Sequence, residues 1–239
     1  MSISSNSKGF TLVEIITALG VSMVLLGGIY LAINSTQRHS SSIERRVVAQ
    51  QDVKPALDII ALELSMVSYN PTYTTNIWVN PSTCAFDAST PQVYRGLQLA
   101  TANSIVVEMD ATGSAGNDGD GALDDANEVI RYTYDVANET ILRGTNCGTN
   151  QPFLGSAVAG QKAVRVINNS LGIPVFRYFN GQGAEIAVSG TDLGGQIPNV
   201  RRIEIVLAVE TEDVDANSGQ RKKLIYSTSV IPRNHAIQW

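Results

Sequence analysis

Histidine and cysteine each occur only twice in 239 residues, aromatic side chains make up 6% of the chain and charged ones 16%. So small a stock of imidazole and thiol leaves little from which to build a nucleophile dyad or a zinc centre. The chain has no phosphate-cradling Gly-x-x-x-x-Gly-Lys run, no dinucleotide fingerprint and no His-Glu-x-x-His pair. Neither His39 nor His235 stands beside a Ser or Cys in a recognisable nucleophile motif. An enzyme is therefore not expected. Basic residues are also few, 17 Lys and Arg against 22 Asp and Glu, for a net charge of −5. That balance argues against nucleic acid as a partner, because phosphate neutralisation needs clustered cations. The one local basic group, Arg201, Arg202, Arg221, Lys222 and Lys223, reads as solvated strand ends.

What the chain does have is apolar sequence concentrated at one end. Residues 10–33, FTLVEIITALGVSMVLLGGIYLAI, carry a single charge, Glu14. As a helix they reach roughly 36 Å, enough to cross a hydrocarbon layer of about 30 Å. A cleaved secretory signal is the alternative. The run is longer than a signal core, no small-x-small site follows it, and a signal core has no use for a carboxylate. Charge counting gives an awkward orientation, since Lys8 alone precedes the span while Arg38, Arg45 and Arg46 follow it, which by itself places the N-terminus outside. An acid in such a segment calls for a partner. The span offers no Lys or Arg, leaving a head group, a neighbouring chain or an N-terminal amine, unless Glu14 simply reaches water near the helix end.

Residues 8–14 spell KGFTLVE directly ahead of this span and behind a short polar leader. The pattern resembles the processing site of type IV prepilins and pseudopilins. The resemblance implies cleavage after Gly9 by a membrane peptidase, methylation of the new N-terminal Phe10, and an assembly role for Glu14, five residues into the mature chain. It also implies a leader in the cytoplasm and a single pass through the inner membrane, reversing the orientation from charge counting, followed by transfer into a periplasmic or extracellular filament. The implied partners are the prepilin peptidase/methyltransferase and other pilin subunits packed along the helix. Physically, a Glu14 on one subunit and a Phe10 amine on the next would pair in apolar surroundings. Misregistered subunits would leave a buried charge alone, at a cost of several kcal/mol.

Helical periodicity continues past the span, with Ile43 and Val47 and then Val53, Leu57, Ile60, Leu64 and Val67 on one expected face. Pro55 deletes a backbone donor, so a kink or break is expected near residues 51–54. Tyr69, Asn70 and Pro71 end the pattern. The expected organisation is a leader at 1–9, a transmembrane half-helix at 10–33, an amphipathic half at 34–69 and a β-rich head at 70–239. Within the head, residues 104–109, 128–134, 139–143, 174–179, 203–209 and 224–230 read as strands, the second and third forming a hairpin. The fold class is α+β, a long N-terminal helical spine packed against an antiparallel sheet. The segments GIPVFRYFNGQG and STSVIPRN resemble the larger minor pilins of the W type and J-type pseudopilins.

Cys84 and Cys147 lie 63 positions apart. In an exported domain they are expected to form a disulfide, contributing roughly 4 kcal/mol by chain entropy, the alternative being two free buried thiols. Residues 113–128, GSAGNDGDGALDDANE, gather acids around glycines. With Gly121 at the sixth position of an EF-hand-like frame, Asp118, Asp120 and Asp124 fall on ligand positions, but Gly116 and Asn127 occupy the first and twelfth. Asp110 and Glu128 would have to complete a calcium shell; the alternative is a solvated acidic turn. Asp213, Asp215 and Asn217 pose the same choice with fewer ligands. Two functions follow: a minor pilin or pseudopilin acting at a filament tip or in initiation, or a membrane-anchored or tip-exposed binding module that contacts a surface or secretion substrate.

Overall fold

The structure is a computed structural model that describes residues 9–80, 83, 94–113, 118–155, 164–188, 192–215 and 218–235. The first element, α1, is one uninterrupted helix, Leu12–Ser65, of 54 residues. Pro55 lies within it and does not break it. A proline leaves the carbonyl four residues back without its donor. Here both Pro55 and Gln51 are exposed, so water can serve that carbonyl. The helix stops earlier than expected, at Ser65, where Met66 caps it and Ser68 turns the chain with φ +64°.

Residues of α1 beyond the apolar half bury one stripe, Ala49, Val53, Ala56, Leu57, Ile60 and Leu64. Ile43 and Val47, expected on the same stripe, are 65% and 44% exposed. The reason lies in the spacing. Six residues separate Val47 from Val53, a rotation of about 240° from one side chain to the next, so the two apolar series cannot share a face. On the head, α1 meets the strands Gln151–Leu154, Arg202–Thr211 and Lys223–Val230.

Among the described residues the head forms two sheets, both antiparallel. The first is a meander of β1 (Leu97–Ala100), β2 (Ser104–Glu108), β3 (Val129–Asp135), β4 (Thr140–Thr145) and β5 (Gln151–Leu154) in sequential order. The second contains β6 (Val164–Val166), β7 (Phe176–Phe179), β8 (Glu185–Ile186), β9 (Arg202–Thr211) and β10 (Lys223–Val230), ordered β10-β9-β7-β8 with β6 also on β9. A short helix α2 (Asn168–Leu171) and a 3-10 turn (Gly194–Asn199) complete the described elements. The longest strand, β9, places Ile203, Ile205, Leu207 and Val209 in the shared core beside α1, and that core takes Ile105, Val107, Ile130 and Tyr132 from the meander. Alternation in β3 and β9 thus produces two half-buried layers closed by the helix.

Candidate functional site

The N-terminal region is built by a local cap. Thr11 takes extended backbone at the head of α1, and its Oγ1 accepts the Glu14 backbone N–H at 3.3 Å. In return Glu14 Oε2 accepts the Thr11 N–H and the Thr11 hydroxyl, each at 2.9 Å. This reciprocal pair satisfies donors that every helix leaves open at its start. Gly9 and Phe10 precede the helix in irregular backbone, with Phe10 85% exposed, so the bond between them is accessible. Residues 1–8, Lys8 among them, lie outside the described residues. Downstream, Leu12, Ile16, Val24, Leu26 and Leu31 are all more than half exposed. Thr17 and Ser22 return their hydroxyls to the carbonyls of Val13 and Ala18 at 2.9 and 2.7 Å, which removes their demand for water. The helix is long and apolar enough to cross a membrane, and its apolar half buries nothing against the head.

The acidic loop between β2 and β3 is organised by two fully buried carboxylates. Glu128 Oε1 accepts the N–H groups of Ala111 and Thr112 at 3.1 and 3.2 Å, and its Oε2 accepts the Asp125 N–H at 3.0 Å. Asp110 Oδ2 accepts the Gly121 N–H at 2.9 Å, while its Oδ1 is buried without a partner. Burial raises both carboxyl pKa values, against the lowering effect of these N–H donors. The loop brings carboxylate oxygens of Asp120, Asp124 and Asp125 within 4.8 Å of one another. Asp118 is exposed and outside that trio, and Asn117 lies outside the described residues. Asp125 was not among the ligands of the EF-hand-like frame. Two acids adjacent in sequence at the end of a glycine-rich turn were the only signal for it.

Three further contacts, none legible in the sequence, fasten α1 to the head. Glu63 accepts the Tyr132 hydroxyl at 2.5 Å and the Arg143 guanidinium at 2.6 and 3.3 Å, while Arg143 also reaches Asn127 Oδ1 at 3.0 Å. Nearer the apolar half of α1, Ser42 donates to Asp215 Oδ2 at 2.5 Å, and Arg45 donates to the Val214 carbonyl and stands 3.9 Å from Asp213. Lys222 meets Asp215 at 3.2 Å. The second acidic turn therefore docks a helix, and its Asn217 lies outside the described residues. At the far end His235 faces Ser68 Oγ, the Arg95 carbonyl and the Ile197 carbonyl at 3.1, 2.9 and 3.0 Å. The basic group is dispersed: pairing of Lys223 with Glu210 and Val230 with Ile203 puts Arg201 and Arg202 at the opposite end of the hairpin from Arg221, Lys222 and Lys223. Arg202 lies 3.6 Å over the Phe179 ring. Cys147, just past β4, is in disulfide form, and its expected partner Cys84 lies outside the described residues.

Residues 4–30 match the prokaryotic N-terminal methylation motif. The type IV-like pilin TTHA1219 from Thermus thermophilus is similar in structure, with a TM-score of 0.44 and 15% identity over 79% of this chain and 98% of that one. No curated protein matches the sequence. The matched methylation motif thus covers the start of the exposed apolar half of α1.

Proposed function

We propose that this chain is a minor pilin or pseudopilin, a non-enzymatic assembly subunit placed at the tip or in the initiating complex of a type IV pilus or related secretion filament. The observation that carries the proposal is the motif at residues 4–30, which spans the start of a helix whose first half is bare and whose second half alone carries the head. A bare apolar half-helix fits lipid before assembly and neighbouring helices afterwards. The leader lies in the cytoplasm, cleavage follows Gly9, and Phe10 becomes the methylated terminus. In the uncleaved chain Glu14 caps its own helix, so the carboxylate has a polar partner during insertion; cleavage leaves an amine one residue before the cap. The head, which carries two sheets and several long connections, is bulky for a repeating shaft and suits a terminal position. A Cys84–Cys147 disulfide ties the connection after α1 to the end of β4 once the head is exported.

Mass spectrometry of the purified chain tests the processing step: the mature protein is expected to begin at N-methyl-Phe10, and a start at Met1 overturns the reading. Glu14→Ala is expected to leave cleavage intact and reduce recovery in sheared filaments at least about tenfold, a loss of 1.4 kcal/mol or more in incorporation. A tip role further requires only a few copies per filament, countable by labelling against the major subunit; copies along the whole shaft would exclude it.

A further inference from the structure

We propose that β10 is an open edge by which the head pairs, strand to strand, with β10 of a second copy of this chain. A sheet edge presents unpaired N–H and C=O groups, and folds ordinarily blunt it with short strands, bulges, proline or charge. Among the described strands, the others that end a sheet follow that rule. β8 has 2 residues and β6 has 3. β1 has 4 and an irregular register at Leu97 and Leu99, and β5 has 4 with Pro152 among them. β10 uses none of these devices. It runs 8 residues, Lys223–Val230, in unbroken register on β9. It has no proline, and its one charge, Lys223, stands at the end.

The Lys222 carbonyl accepts the Thr211 N–H. By the alternation of an antiparallel ladder, the backbone groups of Leu224, Tyr226, Thr228 and Val230 therefore face β9, and those of Lys223, Ile225, Ser227 and Ser229 point the other way. No backbone bond to another described residue leaves that side. All four residues are exposed, Ile225 by 59%. A second β10 fits this edge. Laid antiparallel about Tyr226, two copies put Ile225 opposite Ser227, Lys223 opposite Ser229 and Leu224 opposite Thr228, with Tyr226 on its own counterpart. The whole strand is used, and no charge meets a like charge, which would oppose pairing. The two-fold axis between such neighbours stands perpendicular to their sheet, so it reverses the direction of α1, which lies against that sheet. Under the assembly role proposed above, the paired heads therefore belong to different filaments or membranes; the pairing itself rests on the head alone.

The test uses the full chain purified in detergent and sedimented at rising concentration. Strand pairing buries little area, so dimers are expected with a dissociation constant of about 10⁻⁵–10⁻⁴ M. As dimers form, residue-resolved amide exchange is expected to slow about tenfold or more at Ile225, Ser227 and Ser229, and far less at Tyr226 and Thr228, whose N–H groups already face β9. Ser227→Pro deletes one outward donor and no bond to β9, and is expected to weaken dimerisation at least about tenfold. Ser227→Ala keeps the N–H and is expected to associate as the parent does. Where the proline variant fails to fold, the amide pattern of the parent decides. The proposal is overturned if the chain stays monomeric up to about 1 mM, if protection falls on α1 and not on β10, or if a folded Ser227→Pro dimerises like the parent.

Discussion

Glu108 shows how a single side chain sets a property of the whole head. It sits on β2 with no exposed surface; Gln98 Nε2 donates to its Oε2 at 2.8 Å, and its Oε1 has no partner. Burial, only partly offset by the Gln98 and Val79 donors, pushes its pKa up to about 8. Between the unfolded value near 4.5 and that folded value, the native state holds a proton that the unfolded state has released. Stability from this group is thus fully present below pH 4.5 and is lost as pH rises to 8, by about 1.4 kcal/mol per pH unit. Asp110 and Glu128, also raised by burial, act in the same direction. Denaturant unfolding at pH 5 and pH 8 should show the parent losing stability with pH and Glu108→Gln losing distinctly less; equal slopes would refute the assignment. At Gly96 the backbone itself is the constraint. Its φ is +65°, and a Cβ there would meet the Ser68 backbone at 2.5 Å, where the end of α1 packs. Gly96→Ala should therefore cost about 2 kcal/mol or more in the same assay.

At the level of elements, Pro55 separates what a sequence can say from what packing decides. A proline in the middle of a helix argues for a break, yet α1 runs through it because the buried residues on either side, Val53 and Leu57, hold the helix on the head. Replacement by alanine restores a donor for the Gln51 carbonyl and should raise stability by about 1–3 kcal/mol. A thermal melt of the detergent-solubilised chain checks this, and an unchanged or lower midpoint would mean that a bend at Pro55 is needed for docking. The strands tell a similar story. Those at β2, β3, β4, β7, β9 and β10 were legible because β-branched and aromatic residues recur there between turn residues. β1, β5, β6 and β8 are two to four residues long and lie among polar connections, too short for a period to show. The division into two sheets was hidden for the same reason, since β5 and β6 are where the chain passes from one to the other. In the acidic loop the residue types were readable but the trio was not. The turn brings Asp125, and not Asp118, beside Asp120 and Asp124, because the buried Asp110 and Glu128 hold it between two strands.

For the whole molecule, the decisive relation is between the head and the exposed apolar half of α1. The stripe from Ala49 to Leu64 fixes the lower part of the helix, and Glu63 with Arg143 and Tyr132 pins its end to the meander. Between the apolar segment and Ala49, Ser42 on Asp215 and Arg45 on Val214 and Asp213 join the helix to the β9–β10 connection. Ser42 is nine residues past Ile33, so this contact lies about 14 Å along the helix from the apolar segment. It sets how far the head can swing relative to the apolar segment. Asp215 is 2% exposed, and its removal leaves the Ser42 hydroxyl and Lys222 without their shared acceptor, while the buried stripe below is untouched. Asp215→Ala should accordingly speed amide exchange in residues 40–48 by about tenfold or more, with a loss of only about 1–2 kcal/mol in global stability. Asp215→Asn, which can still accept from Ser42, should fall between variant and parent. If exchange in that stretch is unchanged, the helix is rigid without its clamp, and head orientation must be set entirely by the stripe from Ala49 downward.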